Sequence, residues 1–419
     1  MSSQGKRIRV TGHLPGLDGI RGLAILLVMA VHFIGDATPR NFAERLAVKL
    51  ASYGVLGVDL FFVLSGFLIT GLLLDAKNGP HYFRNFYARR ILRIFPLYYL
   101  VLALLFLVLP RLTTLTPALE LARERQVWLW TYTANFYIAA KSSWSALTYV
   151  SHFWSLAIEE HFYLLWPLVV FLLSRETLAR ICVAVIGGGL ILRIALSLAG
   201  ISELSISALT PCRVDTLCVG GLLAVLARHD RLGEWLVQRS TRAALALGGA
   251  IVTVSAWCAV VRIGLPVLHQ VRSSLYALFF GALILLSLQR GTNVLARAFQ
   301  GGVLRFFGKY SYGLYVYHGL LTWYLLEHRV HERVDLLLPN HSLAIAATAV
   351  LGIGTSILVA VLSYELFEKR FLLLKKWFEA PRGREAAVPV ATQAALEGMG
   401  GAGGHLGSTA TETAGAQDS

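Results

Sequence analysis

The first apolar segment of the chain carries three ionisable residues, Asp18, Arg21 and His32. Asp18 and Arg21 stand three positions apart, which lets an acid and a base pair on one helical face. The eleven positions from Arg21 to His32 make three helical turns plus about 20°, so both residues share a face, about 16 Å apart. Imidazole suits proton transfer near neutral pH. We therefore predict that His32 is a general base and Arg21 part of its site, against the alternative of a histidine that only packs between helices.

A second apolar segment, HFWSLAIEEHFYLLWP, contains Ser155 and the adjacent carboxylates Glu159 and Glu160. An ionisable side chain inside a bilayer costs about 2.5–3.5 kcal/mol on insertion scales, so packing alone explains two in succession poorly. We expect one glutamate to face a polar cavity and the other to pair with an arginine, and the sequence leaves open which does which. Either could orient His32 and stabilise its imidazolium.

Other polar residues in the apolar segments are predicted to support the site. Close packing of helices explains the glycines at 54, 57 and 66, but it accounts less well for Asp59 and Ser65. For the polar residues further along the chain, structural ion pairs are favoured, with individual site roles as the alternative. The supporting residues are Asp18, Asp59, Ser65, Ser155, Arg213, Asp215 and Glu368.

Three arginines, Arg89, Arg90 and Arg93, stand within five positions at the start of the third apolar segment. A guanidinium group binds phosphate oxygens through paired hydrogen bonds, so this cluster predicts a binding site for a polyanionic cytosolic ligand. The alternative is an ordinary cytoplasmic anchor of a membrane helix. No metal site is expected, because the outer-loop histidines lack a carboxylate framework and are interpreted as a solvated loop. These histidines are His328, His331 and His341.

Composition shows what must position these residues. The 419 residues are 56% hydrophobic and 15% charged, with a mean hydropathy of +0.62, whereas soluble domains average about 25% charged. This excludes a set of soluble domains and predicts an all-α integral membrane protein, a bundle of about ten transmembrane helices. The stretch 126–144 is interfacial, re-entrant or spanning. The ten segments are 14–35, 52–75, 91–110, 152–174, 179–199, 211–227, 242–262, 271–289, 303–328 and 342–366.

The distribution of positive charge predicts the orientation. Of the 38 lysines and arginines, 24 lie in or beside the loops on the side of the N-terminus and 11 on the opposite side. Both termini are therefore predicted to be cytoplasmic. The same bias explains the net charge of +14 without nucleic acid as a partner. We divide the chain into a cytoplasmic segment 1–13, a transmembrane domain 14–378 and a disordered tail 379–419 rich in small residues.

Taken together, these strings resemble the acyltransferase 3 family, bacterial multi-spanning membrane O-acyltransferases, from about residue 14 to about residue 371. Arg21-x10-His32 is similar to the family's Arg/Lys-x10-His signature, and Arg90-x-x-Arg93 to its Arg-x-x-Arg element. Three further elements are similar to sequence patterns of the family: the blocks FWSLAIEE and GKYSYGLY, and the pair Arg213-x-Asp215. Two positions depart from the family pattern. His161 stands where Gln is usual, and Arg370 where Pro is common.

The resemblance implies a bacterial cytoplasmic-membrane enzyme that takes an acyl group, most commonly acetyl, from cytoplasmic acyl-CoA. The acceptor would be a hydroxyl of a cell-surface glycan, a glycolipid or a similar sugar-containing molecule. Arg89, Arg90 and Arg93 would hold the phosphates of CoA. Some members carry an extra extracytoplasmic domain, which is not seen after the last predicted span, so we expect this chain to act alone or with a separate extracytoplasmic partner. The alternative is a transporter or flippase of a glycan or lipid-linked substrate.

Overall fold

The computed structural model of the protein describes residues 14–261, 266–289 and 293–378. The predicted cytoplasmic segment 1–13 and the predicted disordered tail 379–419 lie outside the described residues. Within the described ranges every regular element is helical, which confirms the all-α prediction.

The described chain forms a succession of α-helices with short π-helical and 3-10 turns between them. Helices α1 to α9 are Pro15–Ala30, Phe42–Ser52, Leu56–Ala76, Tyr82–Ala103, Leu109–Leu112, Pro117–Glu124, Val127–Trp130, Ala134–Lys141 and Trp154–Leu172. Helices α10 to α19 are Arg175–Leu198, Glu203–Ala208, Val214–Leu226, Asp230–Val261, Pro266–Ser287, Val294–Phe299, Gly302–Glu327, Val330–Leu337, His341–Ser363 and Lys369–Leu373. The π turns are Val31–Gly35, Leu104–Val108 and Tyr364–Glu368, and the 3-10 turns are Tyr53–Val55, Trp144–Ala146, Thr148–Phe153, Thr210–Cys212 and Leu374–Phe378.

In the described part of the chain, eight helical segments are long and apolar enough to cross a membrane. Two further predicted crossings coincide with helices that fall outside this group. Helix α12 has 13 residues, and the 26-residue α16 is rich in tyrosine and carries Arg305 and Lys309. The stretch 126–144 does not cross, because α7 and α8 have only four and eight residues. The eight segments are Pro15–Gly35, Phe42–Ala76, Tyr82–Leu112, Thr148–Leu172, Arg175–Leu198, Arg231–Cys258, Val267–Ser287 and His341–Phe378.

Helices α1, α3 and α16 form the centre of the fold. Helix α1 packs against α16 and α3, and α3 packs against α12. The glycines of α3 permit this, since a Cβ atom at Gly57 would collide with the carbonyl of Ala24 and one at Gly66 with the carbonyl of Leu217. Gly54, just before α3, lies equally close to α1. The predicted packing role of the three glycines is thus confirmed.

Two ion pairs join helices α3, α10 and α12 inside the bundle. Arg213 pairs with Asp59, and Arg193 pairs with Asp215 at 2.9 Å, with side chains 2% and 5% exposed. Arg193 also donates to Ser274 at 2.6 Å. Arg213 and Asp215 are therefore partners in two different pairs and not in one pair, although they stand two positions apart.

The loop histidines are not all solvated, which corrects the prediction made for them. Nδ1 of His341 lies 3.0 Å from a carboxylate oxygen of the buried Glu44, and its Nε2 lies 3.3 Å from Nε2 of His331. Ser342 also donates to Glu44, at 2.6 Å. The buried carboxylate of α2 needs hydrogen-bond donors, and the start of α18 supplies them.

Candidate active site

A narrow cavity of about 120 Å³ lies between helices α1, α3, α4, α9 and α16. On α3 its wall runs from Val58 to Ile69, which stand eleven positions apart, or about 16 Å along the helix. The cavity is therefore elongated along the bundle, with a basic end and a hydroxyl-rich end. Its polar lining residues are Arg21, Ser65, Arg90, Arg93, Ser155, Glu159, Tyr163, Ser311, Tyr312 and Tyr315.

Arginines of α1 and α4 make the basic end. Among the described residues Arg89, Arg90 and Arg93 form no hydrogen bond or ion pair, and the buried Nε of Arg90 has no partner. The Arg90 guanidinium lies over the rings of Phe86 and Tyr163, at 5.9 Å and 5.8 Å from their centroids. Aromatic rings hold the cation in place without consuming its hydrogen-bond donors. The arginines that the sequence singled out thus retain donors for an anionic ligand.

A lysine that the sequence does not mark interacts with the arginines of the basic end, although it does not line the cavity. Lys375 lies in the 3-10 turn after α19, which packs against α4, and its charge interacts with those of Arg93, Arg90, Arg89 and Arg21. Lys375 forms no hydrogen bond or ion pair with any described residue. In the sequence, Lys375 and Lys376 look like an ordinary cytoplasmic anchor after the last apolar segment. Only the fold shows that Lys375 lies near the arginines.

Arg21 is the link between α1 and this basic end. It pairs with Asp18 at 2.8 Å, as its spacing predicted, and it lines the cavity together with Arg90 and Arg93. Glu368, in the π turn after α18, accepts a hydrogen bond from Ser363 at 3.1 Å and interacts electrostatically with Arg93.

The two glutamates of α9 have different surroundings. Glu159 lines the cavity and accepts a hydrogen bond from Ser65 at 2.6 Å. Glu160 does not line it, and its buried Oε1 has no hydrogen-bond partner. Both interact electrostatically with Arg90. In the described structure neither glutamate forms a hydrogen bond with His32, so the orienting group of that histidine lies elsewhere.

The hydroxyl-rich end of the cavity is formed where α9 meets α16. The Tyr315 hydroxyl donates to the backbone carbonyl of His152 at 2.8 Å and lies 2.6 Å from the Ser155 hydroxyl. Because the Tyr315 proton is engaged by that carbonyl, Ser155 must be the donor in the shorter bond. The family-like block GKYSYGLY ends on Tyr315, but nothing in the sequence marks this tyrosine as a site residue among the five that α16 carries.

His32 lies beyond this end, in the π turn that extends α1. Its Nδ1 is 2.8 Å from the carbonyl oxygen of Val28. A carbonyl can only accept, so Nδ1 carries the hydrogen and Nε2 of the neutral ring has a free lone pair. That tautomer is the one a base needs. The ring centroids of His32 and His318 are 4.9 Å apart. The ring centroids of His318 and the cavity-lining Tyr315 are 5.3 Å apart.

A carboxylate that the sequence analysis did not select also lies near His32. Asp36 follows the π turn, four residues after the histidine. Desolvation raises the pKa of the Asp36 carboxyl, and the His32 imidazole opposes that shift. In contrast, Asp59, Arg213 and Asp215 do not line the cavity.

Comparison with known proteins gives the same family as the motifs. A family model described as an acyltransferase domain matches residues 14–365. The chain is 27% identical over 373 residues to the peptidoglycan O-acetyltransferase OatA of Listeria monocytogenes, covering 85% of this chain and 55% of that protein. It is also 27% identical over 391 residues to the O-acetyltransferase OatA of Staphylococcus aureus, covering 88% of this chain and 58% of that protein. No solved structure matches.

The match to these curated relatives spans little more than half of their length, 55% and 58%. Within this chain the family model spans residues 14–365, which include the arginine cluster, the glutamates of α9 and the histidine at the end of α1. The helices long and apolar enough to cross a bilayer fit a multi-pass membrane protein. The chain belongs to the acyltransferase 3 family.

Proposed function

We propose that this protein is an O-acetyltransferase of the cytoplasmic membrane that moves an acetyl group from acetyl-CoA to a hydroxyl of a cell-wall glycan. The names of the Listeria and Staphylococcus relatives support acetyl as the group transferred, and the Listeria name supports peptidoglycan as the acceptor. The donor is a substrate that carries several phosphate charges, which is the chemistry that the basic end of the cavity fits.

In the proposed orientation the chain crosses the membrane ten times and both termini are cytoplasmic. The charge bias of the loops supports this orientation. It puts Arg90 and Arg93 at the cytoplasmic mouth and His32 toward the outer side, because Arg21 and His32 stand eleven residues apart on α1. CoA then binds from the cytosol with its acyl end directed along the cavity.

The observation that carries this proposal is the distribution of free hydrogen-bonding groups at one end of the cavity and just beyond its other end. Guanidinium donors without partners lie at one end, and beyond the other end lies a histidine whose Nε2 holds a lone pair. The guanidinium donors suit the phosphates of a thioester donor such as acyl-CoA. The lone pair of the histidine suits an acceptor hydroxyl that must lose its proton.

The chemistry follows from these positions. The acceptor hydroxyl gives its proton to Nε2 of His32 while its oxygen attacks the thioester carbonyl. The carbon–sulfur bond breaks, the acetyl group stays on the acceptor oxygen, and CoA leaves as the thiolate. The Val28 carbonyl holds the ring in the required tautomer.

The test is transfer of labelled acetyl from acetyl-CoA to peptidoglycan fragments by purified protein in lipid vesicles. Exchange of both Arg90 and Arg93 for Gln should raise the donor KM about tenfold or more, since each lost charge-assisted bond contributes about 1.5–3 kcal/mol. The acceptor KM should stay the same. Arg84→Gln is the matched control, an exposed arginine on the same helix. Absence of transfer to any glycan, or an unchanged donor KM in the double variant, would contradict the proposal.

A further inference from the structure

Three histidines from different parts of the chain meet beside the hydroxyl-rich end of the cavity. The ring of His318 lies edge to face with the ring of His32 at 4.9 Å and with the ring of His152 at 5.2 Å. His32 belongs to the π turn after α1, His152 to the 3-10 turn before α9, and His318 to α16. His318 is fully buried, with 0% exposure. We call these three residues the histidine array.

The backbone fixes the tautomer of each member of the array. Nδ1 of His318 lies 3.1 Å from the Leu314 carbonyl, and Nε2 of His152 lies 3.0 Å from the Val316 carbonyl. These nitrogens must be the donors, since carbonyls only accept. The remaining nitrogens, Nε2 of His318 and Nδ1 of His152, are buried acceptors with no partner in the described structure. The array thus contains two buried lone pairs that await a hydrogen-bond donor.

Local packing indicates that this arrangement is specific. A Cβ atom at Gly319 would collide with the imidazole of His152. A glycine directly after His318 therefore makes the space in which the second histidine lies. An apolar side chain at either histidine would fill the same volume without leaving an unpaired acceptor, so simple packing does not account for the choice of residue.

We propose that His318 is a positioning residue for acyl transfer, which accepts a hydrogen bond from His32 once that residue is protonated. This inference rests on the proposed function. In the step, the acceptor O–H bond breaks and the proton binds Nε2 of His32, the new ester forms, and the carbon–sulfur bond of the donor breaks. The imidazolium then has two N–H groups. One donates to Val28, and the other, formed pointing at the acceptor oxygen, is shared with Nε2 of His318.

The test compares variants of His318 in the acetyl-transfer assay. His318→Phe keeps an aromatic ring but removes both nitrogens, and should lower kcat about tenfold or more while the KM for acetyl-CoA stays unchanged. His318→Gln keeps an acceptor and should recover much of this loss. The matched control is His328→Phe, because His328 makes the same bond to the carbonyl four residues back, 3.0 Å to Tyr324, and does not contact the array.

The outcomes separate the inference from the function on which it rests. If the wild type transfers no acetyl group, the proposed function fails first. If the wild type is active and His318→Phe matches its kcat, or if Phe and Gln variants are equally slow at unchanged CoA affinity, the inference is wrong. If the Phe variant does not insert into the membrane, the comparison is made between His318→Met and His318→Gln. Equal kcat values for these two variants would overturn the proposal.

Discussion

The hydroxyl of Ser65 donates a 2.6 Å hydrogen bond to the carboxylate of Glu159, joining α3 to α9 across the cavity. Glu159 also interacts electrostatically with Arg90 and Arg21. The glutamate therefore has a polar partner on one side and arginines on the other. If the arginines bind the donor phosphates as proposed, the carboxylate of Glu159 competes with the phosphates for the same cations.

Glu159→Gln should bind CoA more tightly than the wild type, because an amide oxygen still accepts from Ser65 while the competing charge is gone. A Coulomb interaction of about 1 kcal/mol corresponds to an affinity gain of about fivefold at low salt. Isothermal titration calorimetry with CoA would measure this gain. Ser311→Ala, at another cavity serine that bonds only to its own helix backbone, is the control and should leave the affinity as it is. Weaker binding by Glu159→Gln would show that the carboxylate holds the arginines in place instead.

Lys375→Gln should raise the KM for acetyl-CoA several-fold. The reason is the loss of a cation that interacts with the cluster formed by Arg21, Arg89, Arg90 and Arg93. Lys376→Gln provides the control, because that neighbouring side chain is exposed. Acetyl-pantetheine, a donor without the nucleotide phosphates, should be used equally well by both variants. If the two lysine variants have the same KM for acetyl-CoA, the 3-10 turn plays no part in donor binding.

His32→Ala should remove most of the transfer rate, since a general base typically contributes about 10²–10⁴-fold. CoA binding should persist, because Arg21 and His32 are separated by three helical turns, about 16 Å. Single-turnover assays with labelled acetyl-CoA, together with CoA titration of the same protein, separate the two quantities. Near-normal transfer by an inserted variant that binds CoA would rule out His32 as the base.

Asp215→Asn should destabilise the protein by about 3–5 kcal/mol, because it leaves the buried Arg193 without its counter-charge. The double change Arg193→Met with Asp215→Leu should recover much of this loss, as apolar residues of similar size can replace a buried ion pair. Thermal unfolding in detergent would rank the stabilities of the wild type, the Asp215→Asn variant and the double variant. Loss of transfer by a fully stable double variant would give the pair a role in the reaction that its place outside the cavity does not indicate.

The sequence predicted those features that depend on local spacing. Asp18 and Arg21 pair as a three-residue spacing requires, and the arginines of α4 share one end of a cavity with Arg21. Long apolar segments were also recognisable, since length and composition determine whether a helix can cross a bilayer. The length criterion fails for α12, which has only 13 residues. A helix that its neighbours shield need not be long or uniformly apolar.

Features that depend on distant contacts were not predictable. Arg213 and Asp215 are two positions apart, yet each pairs with a residue from another helix, Asp59 and Arg193. The same is true of the histidine array, whose members are separated by more than a hundred residues in the chain. Asp36 is only four residues from His32, but it stands just outside the first apolar segment, so its position in the sequence does not mark it as a charge inside a membrane helix.

Because α16 supplies part of the cavity wall, the cavity is completed late in the synthesis of the chain. Residues 21 to 159 supply the arginines, Ser65 and Glu159, while Ser311, Tyr312 and Tyr315 are made much later. A nascent chain that has inserted its first helices therefore has the cations proposed to bind phosphate but an open flank along the cavity. Under the proposed function, translation must reach α16 before the thioester can be enclosed, so an unfinished chain would expose any captured donor to water without acylating an acceptor.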